Sequence, residues 1–256
     1  DTPTLYALTK ADIAQALIKR LSMFVLRAKA KLSLTDMFVY GVTLPNGQTP
    51  GAVQSLAQAG LELPHALPAS ATAYTTVQTS SATWVAAPSA NTQTSRWWLV
   101  QASNSPQALA VGADNALWQA ADIAAGLPWV VTATQDTFIP QTLNLDLIDG
   151  VSFTKGCYPG QEVVARSHYR GTVKRRMAYG TAALAEPPAE LAGIDIYNAD
   201  QQDSPCGRVI NAATTGGRTH LLLEVQLSDL DSADFRLAAA DGEKIGIQAL
   251  PYAIAA

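Results

Sequence analysis

The stretch of the chain with the most reactive groups is KGCYPGQE, residues 155–162. Its one thiol, Cys157, is a good nucleophile only as a thiolate, and a neighbouring cation such as Lys155 favours that form. Gly156 and Gly160 have no side chain, so a ligand can approach the backbone closely there. The stretch therefore predicts a reactive thiol beside a bound ligand. The alternative is a buried structural cysteine that happens to lie in a turn.

The same stretch predicts its own local structure. Pro159 and Gly160 suit the two central positions of a type II turn. A short helix is predicted over residues 160–167, and its first N–H groups can face an anion. Gln161 and Glu162 offer an amide and a carboxylate that can pair with the ring nitrogens and amino group of a heterocycle.

Charge is distributed unevenly along the chain. The formal net charge is −4. Residues 155–176 carry six cations against one carboxylate, a balance of +5, which leaves −9 for the remainder. Such a basic segment suits a small anionic ligand, whereas an acidic molecule as a whole is not expected to contact nucleic acid directly. The alternative is a solvated strand and loop without a ligand.

The ligand-forming residues are few and dispersed. The two cysteines, Cys157 and Cys206, lie in different sequence settings, which is typical of a reducing compartment and predicts a cytoplasmic protein. We expect Cys206 to be structural or incidental. With three scattered histidines, no metal-binding pattern is predicted. No run of about 18 apolar residues predicts a membrane span.

Periodicity predicts an α+β unit followed by an all-β unit. An amphipathic helix is predicted over 9–28, capped by Thr9 and Asp12. A strand over 31–44 follows, and we expect the first unit to be ferredoxin-like. Its other predicted elements are a helix at 51–60, strands at 73–79, 83–87 and 96–102, and a helix that begins at Ser105, breaks near Gly112 and ends at Ala125.

Residues 125–153 are predicted to form a long loop, and loops of this length in compact chains tend to be functional. Gln141 and Asn144 are its candidate ligand contacts. After Arg176, short strands divided by turn residues predict a sandwich or barrel. These strands are predicted at 177–182, 194–197, 208–212, 220–225, 235–237 and 244–249.

The segment FTKGCYPGQEVVAR (153–166) closely resembles the signature of the YgfZ family, folate-binding relatives of the aminomethyltransferase (T-protein) of the glycine cleavage system. Three further segments resemble the family: WQAADIAAGLP (118–128), FIPQTLNLD (138–146) and GTVKRR (171–176). The resemblance extends from about residue 9 to the end of the chain. The N-terminal segment of the family pattern has no counterpart here, so we expect an incomplete folate site.

The resemblance implies a cloverleaf-like aminomethyltransferase fold that binds tetrahydrofolate. We place a ferredoxin-like unit at 1–110, a folate-binding region at 111–176 and a C-terminal β-barrel at 177–256. The implied role is assembly or repair of iron–sulfur enzymes, with indirect support of tRNA modification. Lys155 and Cys157 carry over as the key motif residues. The predicted folate contacts are Trp118, Tyr158, Gln161, Glu162, Arg166, Gln141 and Asn144.

Two other functions remain open at this point. The first is a true folate-dependent aminomethyl transferase, because fold does not decide function. The second is a thiol-redox module without folate, against which the absence of a CxxC pair argues. For Trp118, the alternative to a folate contact is an ordinary core residue on a helix.

Overall fold

The computed structural model describes residues 4–52, 62–65, 67–68, 72–102, 112, 115–171, 173–184, 186–201 and 204–254. The predicted helix at 51–60 and the first part of the one predicted from Ser105 lie almost entirely outside these residues. The helices are α1 (Ala11–Ser22), α2 (Ala116–Ala124) and α3 (Gln161–Tyr169), with short 3-10 turns at Pro50–Ala52, Thr132–Thr134 and Leu227–Asp229. The strands are β1 (Phe38–Pro45), β2 (Thr76–Gln78), β3 (Ala82–Ala87), β4 (Thr94–Gln101), β5 (Arg175–Ala182), β6 (Asp195–Asn198), β7 (Gly207–Thr215), β8 (Arg218–Gln226), β9 (Phe235–Leu237) and β10 (Gly246–Gln248).

The first sheet has the strand order β1-β4-β3-β2, and all its neighbours are antiparallel. Successive side chains of a strand point to opposite faces, which separates the adjacent Trp97 and Trp98. Trp97 packs with Trp84 and Leu44 on one face, and Trp98 packs with Leu127 on the other. The sheet therefore has an apolar core on both sides of β4.

The connection between β3 and β4 differs from the ferredoxin-like prediction. A ferredoxin-like unit has the order β-α-β-β-α-β, with a helix before its last strand. Here β3 and β4 are joined directly through residues 88–93, all of which the structure describes. The intervening sequence, PSANTQ, contains turn-forming residues and is too short for a helix.

The predicted N-terminal elements are longer than those observed. Helix α1 ends at Ser22 rather than near residue 28, and Leu21 and Phe24 of its predicted apolar face are exposed. A short helix gains most of its stability from packing, and the large apolar side chains near the end of this one are exposed. Strand β1 begins at Phe38 because that residue pairs with Gln101, the last residue of β4.

The second sheet confirms the predicted all-β unit. Its six antiparallel strands have the order β10-β5-β8-β7-β6-β9. The sheet curls until its edges meet, since Ile245 N donates to Phe235 O at 2.9 Å and Leu237 N donates to Glu243 O at 3.0 Å. Its buried face is aliphatic, with Leu221, Leu223 and Val225 of β8 fully inaccessible to solvent. The fold as a whole is mixed α/β with few helices and curled antiparallel sheets.

Helix α2 joins the two sheets. Ile123 packs on the second sheet together with Met177 and Leu222, while Trp118 packs toward the first sheet beside Trp98. None of the described helices has both the length and the apolarity needed to cross a membrane.

Candidate functional site

The KGCYPGQE segment forms the predicted turn and leads directly into α3. Gln161 N donates to Tyr158 O at 3.2 Å, and Gly160 has φ of 84° and ψ of 1°. These values match the third position of a type II turn, which favours glycine. The Gln161 side chain also closes the turn, because its Oε1 accepts a hydrogen bond from Tyr158 N at 3.3 Å.

Cys157 is exposed, which contradicts the interpretation as a buried structural cysteine. A Cβ added at Gly156 would meet no atom within 4 Å, so there is open space beside the thiol. Lys155 places Nζ over the Tyr158 ring, 4.8 Å from its centroid. This cation–π contact holds the lysine in the same turn as the thiol. It also covers one face of the Tyr158 ring, so that face is not free to stack on a ligand.

Cys206 provides the contrast within the chain. It is half-buried against the core of the second sheet, and burial raises the pKa of its thiol. Its backbone N–H is bound to Ile196 O at 2.7 Å. Cys206 is thus held in the sheet as a packing residue, in agreement with the prediction.

Helix α3 exposes its charged side chains and buries a single residue. Val164 is buried, while Glu162 and Arg166 are exposed on the opposite side. At its C-terminal end His168 stacks on Phe153, with ring centroids 3.8 Å apart. The helix therefore presents the predicted ligand residues Glu162 and Arg166 to solvent.

Gln141 and Asn144 are both fully buried, and they anchor the loop that carries them. Gln141 Nε2 donates to Val164 O at 2.6 Å and so ties the loop to α3. The Asn144 side chain donates to Met177 O at 2.7 Å and accepts from Met177 N at 3.3 Å. Asn144 thus pairs with β5 as a neighbouring strand would. Gln141 Oε1 has no hydrogen-bond partner among the described residues.

Two of the six cations in residues 155–176 do not belong to a solvated basic surface. Arg176 is buried and forms an ion pair with Asp146, with NH1 2.6 Å from Oδ1. Arg175 pairs with Glu224 across to β8. Their charges are already balanced within the fold, so the predicted basic belt is correct only for Lys155, Arg166, Arg170 and Lys174.

Trp118 is half-buried and its ring packs against other groups of the protein. The Arg96 guanidinium lies 4.0 Å from its ring centroid, and a Cβ at Gly41 of β1 would collide with the ring. Trp98 meets it edge-on at 6.4 Å. Among the described residues, no hydrogen bond or ring contact joins Trp118 to segment 155–162.

The buried charges that hold Trp118 were not found from the sequence. Arg96 and Asp122 form an ion pair at 2.5 Å with side chains only 3% exposed. Arg96 also donates to Pro88 O at 2.7 Å and to Trp118 O at 3.1 Å. Burial raises the pKa of Asp122 despite the attraction of Arg96. The sequence does contain a signal for these buried charges, because one charged residue interrupts each of two apolar segments, SRWWLV (95–100) and WQAADIAAG (118–126).

Trp129 completes this cluster and borders an open cleft. Its Nε1 donates to Asp122 Oδ2 at 2.9 Å. The cleft has a volume of about 700 Å³ and aromatic walls formed by Tyr74, Trp98 and Trp129, with Val85 and Val100 of the sheet between them. A second cleft of about 420 Å³ lies beside Arg96 and Tyr252. Volumes of 300–1,000 Å³ with aromatic walls are typical of small-molecule sites.

Within the described part of the chain, no group of three or more His, Cys, Asp or Glu residues could hold a metal ion. The structure therefore separates the predicted site into two parts. An exposed thiol and its lysine occupy one turn, and the aromatic groups suited to a heterocycle lie around α2 and the first sheet.

Comparison with known proteins identifies relatives of about half of the chain. No protein-family model matches it. The chain is 35% identical over 144 residues to the tRNA-modifying protein YgfZ of Serratia proteamaculans. It is 38% identical over 145 residues to the proteins of the same name from Yersinia pestis and Yersinia pseudotuberculosis. Each match covers 56% of this chain and 43% of the relative. The chain thus spans less than half the length of these relatives. Over 56% of its length, the chain is therefore similar to proteins named YgfZ, in agreement with the resemblance of the motif at residues 153–166.

Proposed function

We propose that this chain is part of a folate-dependent accessory protein that supports assembly or repair of iron–sulfur enzymes and, through them, tRNA modification. The observation that carries the proposal is the exposed thiol of Cys157 within the KGCYPGQE turn. Such a thiol, with a lysine held in the same turn, is suited to contact a client protein or a ligand. The relatives are named as tRNA-modifying proteins, which supports the second part of the proposal.

The proposed fold is the cloverleaf-like aminomethyltransferase arrangement, divided at residues 1–110, 111–176 and 177–256. The curled six-stranded sheet is compatible with the C-terminal barrel of that arrangement. Two unpaired cysteines agree with a reducing, cytoplasmic location, which is included in the proposal.

The proposed place for tetrahydrofolate is the aromatic cleft beside Trp98 and Trp129. Flat rings stack favourably on such side chains, and the volume of about 700 Å³ is sufficient for a heterocycle with a benzoyl group. Trp118 would contribute indirectly, by packing against Trp98, because its own ring is covered by Arg96 and Gly41.

The remaining predicted contacts have different roles in this proposal. Glu162 and Arg166 are exposed and available to a ligand, and Gln141 Oε1 is a buried acceptor that no described residue satisfies. Asn144, Gln161 and Tyr158 are engaged in the fold, so we propose that they position the loop and the turn.

A titration of the full-length protein with tetrahydrofolate, followed by assays of cluster-containing enzymes in a deletion strain, tests the proposal. We expect folate binding, loss of enzyme activity on deletion, and rescue by wild type and by Cys206→Ala but not by Cys157→Ala. Methylene transfer to the glycine-cleavage carrier protein that does not depend on Cys157, with cluster enzymes unaffected, would instead establish an aminomethyl transferase.

A further inference from the structure

The exposed side of α3 carries cations that no described carboxylate pairs with. Arg166 and Arg170 are exposed, and their spacing of four residues places them on one side of the helix. Lys155 and Lys174 precede and follow the helix in the chain and are also exposed. None of these four cations takes part in an ion pair with another described residue, although other arginines of the chain do. We call these four residues with Tyr169 the α3 basic surface.

An aromatic ring accompanies these charges. Tyr169 is 68% exposed, although a tyrosine buries a large apolar area when it packs. The rings of Phe153 and His168 stack on each other, and Tyr169 meets each of them edge-on, at 6.1 Å and 4.7 Å. Its position is thus supported from within the fold while much of the side chain stays in solvent. The single carboxylate in the helix, Glu162, does not form an ion pair with Arg166 within the described structure.

From these contacts we propose that the α3 basic surface binds single-stranded RNA. Cations that follow the phosphates, combined with an exposed ring on which a base can stack, are the usual elements of sequence-tolerant single-strand sites. A purely acidic protein partner or an anionic membrane would use the charges but would leave Tyr169 without a role. The proposal goes beyond the folate-dependent role and revises the expectation, drawn from the net charge of −4, that no nucleic acid is contacted.

The net negative charge of the molecule opposes RNA binding at long range. The acidic remainder repels a polyanion at long range, and salt screens that repulsion over about 10 Å at 0.1 M. Binding is therefore local to α3 and depends on direct phosphate contacts. Each neutralised phosphate of a single strand contributes about −0.7 to the slope of log affinity against log salt.

Fluorescence anisotropy of the full chain with a labelled single-stranded 12-nucleotide RNA tests the proposal without folate or any cluster enzyme, so its outcome is independent of the proposed function. Four phosphate contacts give a salt slope of about −2.8, or about 50-fold weaker binding when KCl rises from about 50 to about 200 mM. Arg166→Gln with Arg170→Gln should reduce the slope by about 1.4. Tyr169→Ala should weaken binding about 5- to 150-fold, while Tyr169→Phe retains it.

The matched control is Lys19→Gln with Arg20→Gln on α1, which removes two exposed charges elsewhere and should leave the slope unchanged. Circular dichroism confirms that each variant is folded. Absence of binding at about 50 mM KCl, or equal losses in the α3 and α1 double variants, overturns the proposal. Equal affinity for inorganic polyphosphate with no effect of Tyr169→Ala also overturns it, since that identifies a general polyanion surface.

Discussion

The KGCYPGQE turn and the Arg96–Asp122 cluster place charged groups in opposite environments. In the turn, Lys155 and Cys157 are exposed and lie two residues apart in the chain. In the cluster, Arg96 and Asp122 are buried and come from a strand and a helix 26 residues apart. The difference teaches that exposed reactive groups can be recognised in a short motif, whereas buried charges depend on distant partners that the sequence pattern does not reveal.

The two sites also differ in what holds them in place. The turn is held by local hydrogen bonds among residues 158–161 and by one positive-φ glycine. The cluster is held by an ion pair, three carbonyl and indole hydrogen bonds and a guanidinium over the Trp118 ring. We therefore expect substitutions in the cluster to change stability, and substitutions in the turn to change mainly the local geometry and reactivity.

The largest expected effect is on the buried pair. Arg96→Met should destabilise the protein by about 3–5 kcal/mol, because it leaves the Asp122 carboxylate buried without its partner. Urea denaturation measures the loss. The control, Arg208→Met, removes the half-exposed pair with Asp195 and should cost less than about 1 kcal/mol. Adding Asp122→Leu to Arg96→Met should recover part of the loss; a double variant less stable than Arg96→Met alone would contradict this account.

Trp118→Ala tests whether the cluster also serves a ligand. Because Trp118 packs against Trp98, its removal should weaken the stacking of Trp98 on folate; a stacking energy of about 1–3 kcal/mol corresponds to about 5- to 150-fold weaker folate binding by the full-length protein if that stacking is lost. Isothermal titration with tetrahydrofolate and a thermal melt report affinity and stability separately. A lower melting temperature with unchanged affinity would identify Trp118 as a core residue only.

The geometry of the turn is tested by a pair of glycines. Gly160 has φ of 84°, so Gly160→Ala should cost about 1–2 kcal/mol and disturb the start of α3. Gly156→Ala is the matched control, because its Cβ meets nothing within 4 Å and its φ is not in the left-handed range. Equal stability of the two variants in urea denaturation would show that the turn does not depend on Gly160.

The exposure of the thiol predicts a difference in reactivity between the two cysteines. Cys157 should be alkylated by iodoacetamide at least about tenfold faster than Cys206 at neutral pH, because burial both shields Cys206 and raises the pKa of its thiol. Mass spectrometry of the labelled peptides reports each site. Comparable rates at both cysteines in the folded protein would remove the basis for a special role of Cys157.

The smallest expected effect concerns the tie between α1 and the 125–153 loop. Hydrogen bonds from Thr132 lower the pKa of Asp12 below its usual 3.8, so the contribution of Asp12 to stability is present above that value and is lost as the pH falls through the lowered pKa. Asp12→Asn should therefore destabilise the protein slightly at pH 7. Thermal melts should show this difference disappearing in strong acid; a constant difference at all pH values would exclude the ionised carboxylate as its source.

Local sequence patterns predicted much of the fold. The strands of the second sheet, the turn at Pro159-Gly160 and α3 are confirmed, because each depends on residues close in the chain. Asp12 was predicted to cap α1, and this was wrong: its carboxylate binds Thr132, 120 residues away. Helix α1 is shorter than predicted because an apolar stripe favours a helix but does not provide the surface against which it packs.

The sequence by itself determined the thiol, the lysine and the glycines of the KGCYPGQE turn, since their chemistry and their turn geometry are properties of neighbouring residues. Only the tertiary structure decided which charges remain available. It buried Arg176 against Asp146 and Arg96 against Asp122, and it left Arg166 and Arg170 in solvent. The physical reason is that the charged state of a buried group depends on partners brought together by folding, and those partners are remote in the chain.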